Sequence, residues 1–111
     1  MADDPRQDLL PGTLDMLVLK TLSVGSLHGY AIAQHIERTS NDVFRVEQGS
    51  LYPALERLLG AGHVAAKWGT SPTGRRARYY TITASGRRRL GQELSAYDAM
   101  LAAIGRVLGR A

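Results

Sequence analysis

Hydrophobic positions along the chain fall into four stretches of helical period and one of strand period. After a polar lead ending in Pro11-Gly12, Leu14, Leu17, Val18 and Leu22 recur at the spacing that lines one face of a helix. Thr13 is placed to cap it, Asp15 falls in its first turn where the helix dipole favours negative charge, and Ser23-Val24-Gly25-Ser26 ends it. A second helix is predicted from about Gly29-Tyr30 to Arg38, with Tyr30, Ile32, Ala33 and Ile36 turned inward, before a loop at Thr39-Ser40-Asn41-Asp42. In the third, Leu51, Leu55, Leu58 and Leu59 make the core stripe. Ser50 is its predicted cap, and Pro53 is expected in the first turn, where a missing amide hydrogen is tolerated. The opposite face carries Gly49, Ser50, Pro53, Glu56 and Arg57, with Tyr52 at the flank, and Gly60-Ala61-Gly62 stops the helix.

Beyond Gly62 the period changes to two. Val64, Ala66 and Trp68 alternate, and after Gly69-Thr70-Ser71-Pro72-Thr73-Gly74 so do Tyr80 and Ile82, which predicts a β-hairpin with basic arms. Thr83 or Ser85 then caps a long final helix in which Leu90, Leu94, Tyr97, Leu101, Ile104 and Leu108 recur at spacings of 4, 3, 4, 3 and 4. That is an a/d seam. A helix packed on its own domain can show such a stripe, but three helices and a hairpin already supply a core, so the seam points to a partner helix. The order of elements gives a mainly α fold with a small β-hairpin: a winged helix-turn-helix over residues 1–83, followed by a C-terminal dimerisation helix over 84–111.

A length of 111 residues fits one domain, and 44% hydrophobic residues suffice to fill a small core. The absence of cysteine excludes disulfides, thiolate nucleophiles and cysteine-ligated zinc. No apolar run approaches the roughly 20 residues that span a bilayer, and Met1-Ala2-Asp3-Asp4-Pro5 is acidic where a signal peptide would be basic, so a cytoplasmic protein with no membrane partner is expected. Net charge is only +4, but its distribution is uneven. Residues 1–56 hold eight acids and four bases, whereas residues 57–92 hold eight bases and no acid. Scattered cations would read as a solvated face; a block without acids points to a polyanionic partner.

No catalytic constellation emerges, and the chain is read as neither an enzyme nor a cofactor protein. Gly69 and Gly74 have the spacing of a phosphate loop, yet Arg75-Arg76 stand where Lys and Ser or Thr are required, and the segment joins two strands. His28 and His35 are seven apart with no third ligand at suitable spacing, and His63 beside Gly62 reads as a turn residue.

The motifs resemble those of the PadR family of bacterial transcriptional regulators. They are Gly29-Tyr30, Gly49-Ser50-Leu51-Tyr52-Pro53-Ala54-Leu55, Leu58-Leu59 before Gly62, Gly74-Arg75-Arg76, Tyr79-Tyr80 and Thr83-Ala84-Ser85-Gly86. The single short C-terminal helix is similar to that of the small subfamily. The resemblance implies a homodimer on a double-stranded operator, most often as a repressor. A physical reading of the residues agrees. The third helix offers Gln48, Gly49, Ser50 and Pro53 to base edges in a major groove, where Gln48 can pair bidentately with adenine; as a loop residue Gln48 would instead be merely solvated. Tyr52 and Arg57 suit phosphates, though Tyr52 at the edge of the leucine stripe also suits packing. Arg75, Arg76 and Arg78 belong to the wing, while Arg87, Arg88 and Arg89 point around the last helix and cannot all face one duplex.

The expected dimer interface comprises Leu14, Leu17, Leu90, Leu94, Tyr97, Leu101, Ile104 and Leu108. In small-subfamily relatives an aromatic side chain from each subunit sandwiches planar aromatic effectors at the dimer centre, and Tyr97 aligns there in place of a tryptophan; the other reading of Tyr97 is packing alone, with no ligand. Met16 and Met100 are candidates to line such a slot. The alternative reading is a winged-helix protein-interaction module without DNA binding.

Overall fold

The computed structural model describes residues 6–110; the acidic leader at 1–5 lies outside them. The order is β1 (Gln7–Asp8), α1 (Pro11–Leu22), β2 (Leu27–His28), α2 (Gly29–Thr39), β3 (Phe44–Arg45), α3 (Gln48–Gly60), β4 (Val64–Thr70), β5 (Arg76–Ile82) and α4 (Ala84–Val107). Every predicted helix and the hairpin are present. The three two-residue strands were not predicted, since so short a strand leaves no period in the sequence.

Helix α1 is buried on more than the one predicted face: Leu14, Met16, Val18, Leu19, Thr21 and Leu22 are all inside. It packs against α2, α3, α4 and β5. The Thr21 hydroxyl donates to the Leu17 carbonyl at 2.7 Å, so the polar atom in this helix is satisfied. The helix begins earlier than Thr13 suggested. Extended Leu10 stands at the cap and Pro11 takes the first helical position, where its fixed φ suits the helix; Asp15 consequently lies past the first turn.

Helix α2 buries Ile32 and Ile36, but Tyr30 is 63% exposed rather than inward, its hydroxyl accepting a bond from Gln34 one turn on. The His28 ring caps the helix by accepting from the Ala31 amide. After α2 the chain reverses through Asn41 and Asp42, both at positive φ, a conformation these two residue types tolerate best after glycine. The segment leading into α3 is strapped down. β1 pairs in parallel with β3, Arg45 grips the Asp8 carboxylate through two nitrogens, and the Glu37 carboxylate accepts from the Val46 amide at 2.9 Å.

Helix α3 is capped by Glu47, not Ser50, which sits inside the first turn; Pro53 is the sixth helical residue and so lies beyond that turn. Leu51, Ala54, Leu55 and Leu58 are buried. The helix ends in a Schellman turn, with His63 donating to the Leu58 carbonyl and Gly62 donating to Leu59 while adopting φ +76°. β4 and β5 pair antiparallel from Val64↔Ile82 to Thr70↔Arg76, and β2 adds to the other edge of β5.

Thr83, not Ser85, caps α4: its hydroxyl accepts from the Gly86 amide and donates to the Gly62 carbonyl. Ser85 instead bonds the His63 ring at 2.8 Å. The first turns of α4 are thereby stitched to the end of α3, and Leu90 completes the core. From Leu94 onward the apolar stripe stands in the open, on a helix about 36 Å long that helps make the molecule flat, 52 × 42 × 21 Å. No helix among the described residues is long and apolar enough to cross a membrane.

Gly86 explains its motif. A Cβ there would stand 2.0 Å from the His63 carbonyl oxygen, a backbone atom that cannot turn away. Gly86→Ala is therefore expected to destabilise the fold by about 1–3 kcal/mol or more through forced displacement. A urea titration followed by circular dichroism checks this; an unchanged midpoint would show that α4 shifts freely on α3.

Candidate nucleic-acid interface

One face of the molecule combines the N-terminal end of α3 with the hairpin. Gln48, Gly49 and Ser50 form the first turn of α3, and all three are exposed. The Glu47 carbonyl accepts from the Ser50 and Leu51 amides, which leaves the Gln48 and Gly49 amides pointing outward at the positive end of the helix dipole. Pro53 is exposed on the same side. Tyr52 does two things at once. Its ring lies on the start of α2, where a Cβ on Gly29 would meet its hydroxyl at 2.9 Å, and yet the residue remains 42% exposed. That contact accounts for Gly29 in the sequence motif.

Arg57, expected to meet a phosphate, is engaged within the chain. It donates to the Asp15 carboxylate at 2.8 Å, tying α3 to α1, and this hydrogen bond raises its pKa above the ordinary value. The rest of the basic block divides in the same way. Arg78 reaches Glu56 of α3 at 3.5 Å, Arg89 pairs with Glu93 at 2.8 Å, and Arg87 donates to the Ser23 carbonyl at the C-terminal end of α1. Lys67, Arg75 and Arg76, all on the hairpin, have no carboxylate partner among the described residues. Arg88, exposed on α4, has no carboxylate partner among the described residues either, so the block is part internal stitching and part free charge, with three of the four cations that lack a side-chain hydrogen bond or ion pair on the wing.

Between wing and helices runs an open groove of about 1030 Å³, walled by Tyr30 and Tyr52 on one side and by Trp68, Arg76 and Arg78 on the other. Tyr80 closes it toward the core; burial raises the pKa of its phenol, with the nearby Arg78 cation acting in the opposite sense. The aromatic lining of this groove was not foreseen. The sequence places Trp68 by strand alternation and Tyr80 by alternation and the Tyr79-Tyr80 motif; only the cross-strand register sets them beside the arginines.

The expected dimer residues separate into two groups. Leu14, 1% exposed, and Leu90 are part of the chain's own core and are not available to a partner. Leu17 is partly buried against that core, whereas Leu94, Tyr97, Leu101, Ile104 and Leu108 are exposed along one stripe of α4. The three candidate effector residues are also separated. Met16 is buried and lines a notch of about 230 Å³ between α1, α3 and α4 whose lining includes neither Tyr97 nor Met100, both of which stand on the open part of α4.

The sequence profile of the transcriptional regulator PadR-like family matches residues 18–92, from within α1 to the start of α4. An uncharacterised protein of Lysinibacillus sphaericus is 30% identical over 87 residues, spanning 78% of this chain and 80% of its own. Among solved structures, a protein of Streptococcus mutans UA159 superimposes with a TM-score of 0.81 at 27% identity, covering 95% of both chains. A PadR family transcriptional regulator from Eggerthella lenta DSM 2243 gives a TM-score of 0.76 at 29% identity over 87% of this chain and 82% of its own. With the winged-helix face and the profile in agreement, the chain belongs to the PadR-like family of transcriptional regulators.

Proposed function

We propose that the protein is a homodimeric, sequence-specific DNA-binding repressor, with α3 in the major groove and the wing along the adjacent backbone or minor groove. The observation that carries this reading is the separation of charge: Arg57, Arg78 and Arg89 of the block are paired with carboxylates, while Lys67, Arg75 and Arg76 on the wing have no carboxylate partner among the described residues, and Arg75 and Arg76 line the groove that Tyr52 of α3 also walls. A protein-interaction module gains nothing from unpaired wing arginines. Gln48, Gly49, Ser50 and Pro53 read base edges in this account, Tyr52, Arg75 and Arg76 hold phosphates, and Arg57 and Arg78 act mainly by fixing α3 and the wing in place.

Dimerisation is assigned to residues 84–111 through Leu94, Tyr97, Leu101, Ile104 and Leu108, because an open a/d stripe of this length is stable only when covered. Repression then follows from a dimer occupying a promoter. A planar aromatic effector between paired Tyr97 rings, with Met100 beside them, would change the angle between the two recognition helices. Calorimetric titration of such compounds into wild type and Tyr97→Ala tests that part, and equal heats would place any effector elsewhere.

Two substitutions separate reading from assembly. Gln48→Ala is expected to cost about 1–3 kcal/mol on the operator and much less on random duplex in anisotropy titrations. Equal losses on both DNAs would reduce this helix end to a positioning role. Leu101→Asp is expected to give a monomer by analytical ultracentrifugation and to abolish operator binding, since two-fold related half-sites need two-fold related helices. A persistent dimer would place the interface away from α4.

A further inference from the structure

The inner face of the wing is a ladder of alternating aromatic and arginine side chains. The register pairs Ala66 with Tyr80, Trp68 with Arg78 and Thr70 with Arg76, and these residues share one side of the hairpin. Arg78 lies 5.8 Å from the centre of the Tyr80 ring, and Arg76 lies 4.6 Å from that of Trp68, its diagonal neighbour. Trp68 is the single tryptophan of the chain and is 56% exposed on an arm that has left the core, so packing within the domain does not account for it. What it does hold is Arg76. The adjacent Arg75 carries the same charge, stands exposed at the turn, and has neither a ring nor a carboxylate against it.

This difference matters energetically. A free arginine has many rotamers, and fixing it on a phosphate costs entropy that offsets part of the charge interaction. A guanidinium already laid on an indole face has lost much of that freedom before binding, and the flat stack leaves its edge N–H groups free to donate. We propose that Trp68 is a positioning residue for DNA binding: its indole face holds Arg76 in the orientation that meets a phosphate of the duplex. The proposal rests on the DNA-binding reading above and adds a residue that touches Arg76 in place of reading any base.

The test uses the full chain and a fluorescein-labelled random-sequence duplex, titrated by anisotropy at several salt concentrations. Trp68→Ala is expected to weaken binding roughly two- to five-fold, the effect of an exposed cation–π contact, with the slope of log K against log salt unchanged because no phosphate contact is removed. Arg76→Ala should lower that slope by about one. Trp68→Phe, which keeps a ring face, should recover most of the affinity and guards against an effect on folding. The double variant of Trp68→Ala with Arg76→Ala should bind no more weakly than Arg76→Ala alone, whereas combination with Arg75→Ala should be additive. Tryptophan emission, reporting Trp68 alone, should change on adding duplex to wild type and not to Arg76→Ala. If wild type binds while Trp68→Ala matches it, or if the Trp68 and Arg76 losses simply add, the positioning role is wrong and the DNA reading stands. If wild type fails to bind duplex even at low salt, both fall.

Discussion

The burial of α1 on nearly all sides is the constraint from which the rest of the architecture follows. A twelve-residue helix that places Leu14, Met16, Val18, Leu19 and Leu22 inside leaves only Pro11, Gly12 and Lys20 exposed, with Thr13, Asp15 and Leu17 half-buried. At about 1.5–3 kcal/mol for each fully buried leucine or valine, these side chains outweigh the marginal intrinsic stability of so short a helix. The polar ties then fix orientation. Asp15 of α1 holds Arg57 of α3, and the α1 C-terminal carbonyl of Ser23 holds Arg87 of α4. Through α1 the groove-facing helix and the long C-terminal helix become parts of one body.

The same logic carries to the wing. Tyr80 and Ile82 are buried at the root of the hairpin, β2 pairs along the outer edge of β5, and Arg78 bridges to Glu56 on α3. Surface ion pairs of this kind contribute little stability singly. The role of the Arg78–Glu56 pair is geometric, because it ties the wing to the third turn of α3.

Much of this was legible in the chain because periodicity and glycine placement are local signals. The leucine stripe of α3, the Gly62 stop and the even spacing of Val64, Ala66 and Trp68 depend only on near neighbours. Helix starts were less legible: Thr13 and Ser50 had cap chemistry, but Pro11 and Glu47 took those boundaries, since proline is favoured in the first turn and the chain path was fixed by the β1–β3 strap. Tyr30 looked apolar by spacing, and its exposure follows from the groove being open at that point. The seam ran unbroken in sequence from Leu90 to Leu108, yet only the part beyond Leu90 is uncovered, because where a helix leaves its domain is decided by tertiary packing. Arg57 and Arg78 lost their expected freedom for the same reason. Their partners, Asp15 and Glu56, are respectively 42 and 22 residues away. For Glu56, on the same helix face as the site residues, no rule of spacing marks it as a partner of the wing.

The central claim is that a rigid pairing of α3 and wing, duplicated by a two-fold axis, reads DNA. Selection of bound duplexes from a random-sequence pool, followed by sequencing, tests it most directly. The account predicts enrichment of an inverted repeat whose half-site centres lie about one helical turn, 10–10.5 base pairs, or a multiple of it apart. Enrichment of a single asymmetric site, or no enrichment from a pool that the protein nevertheless binds, would contradict it.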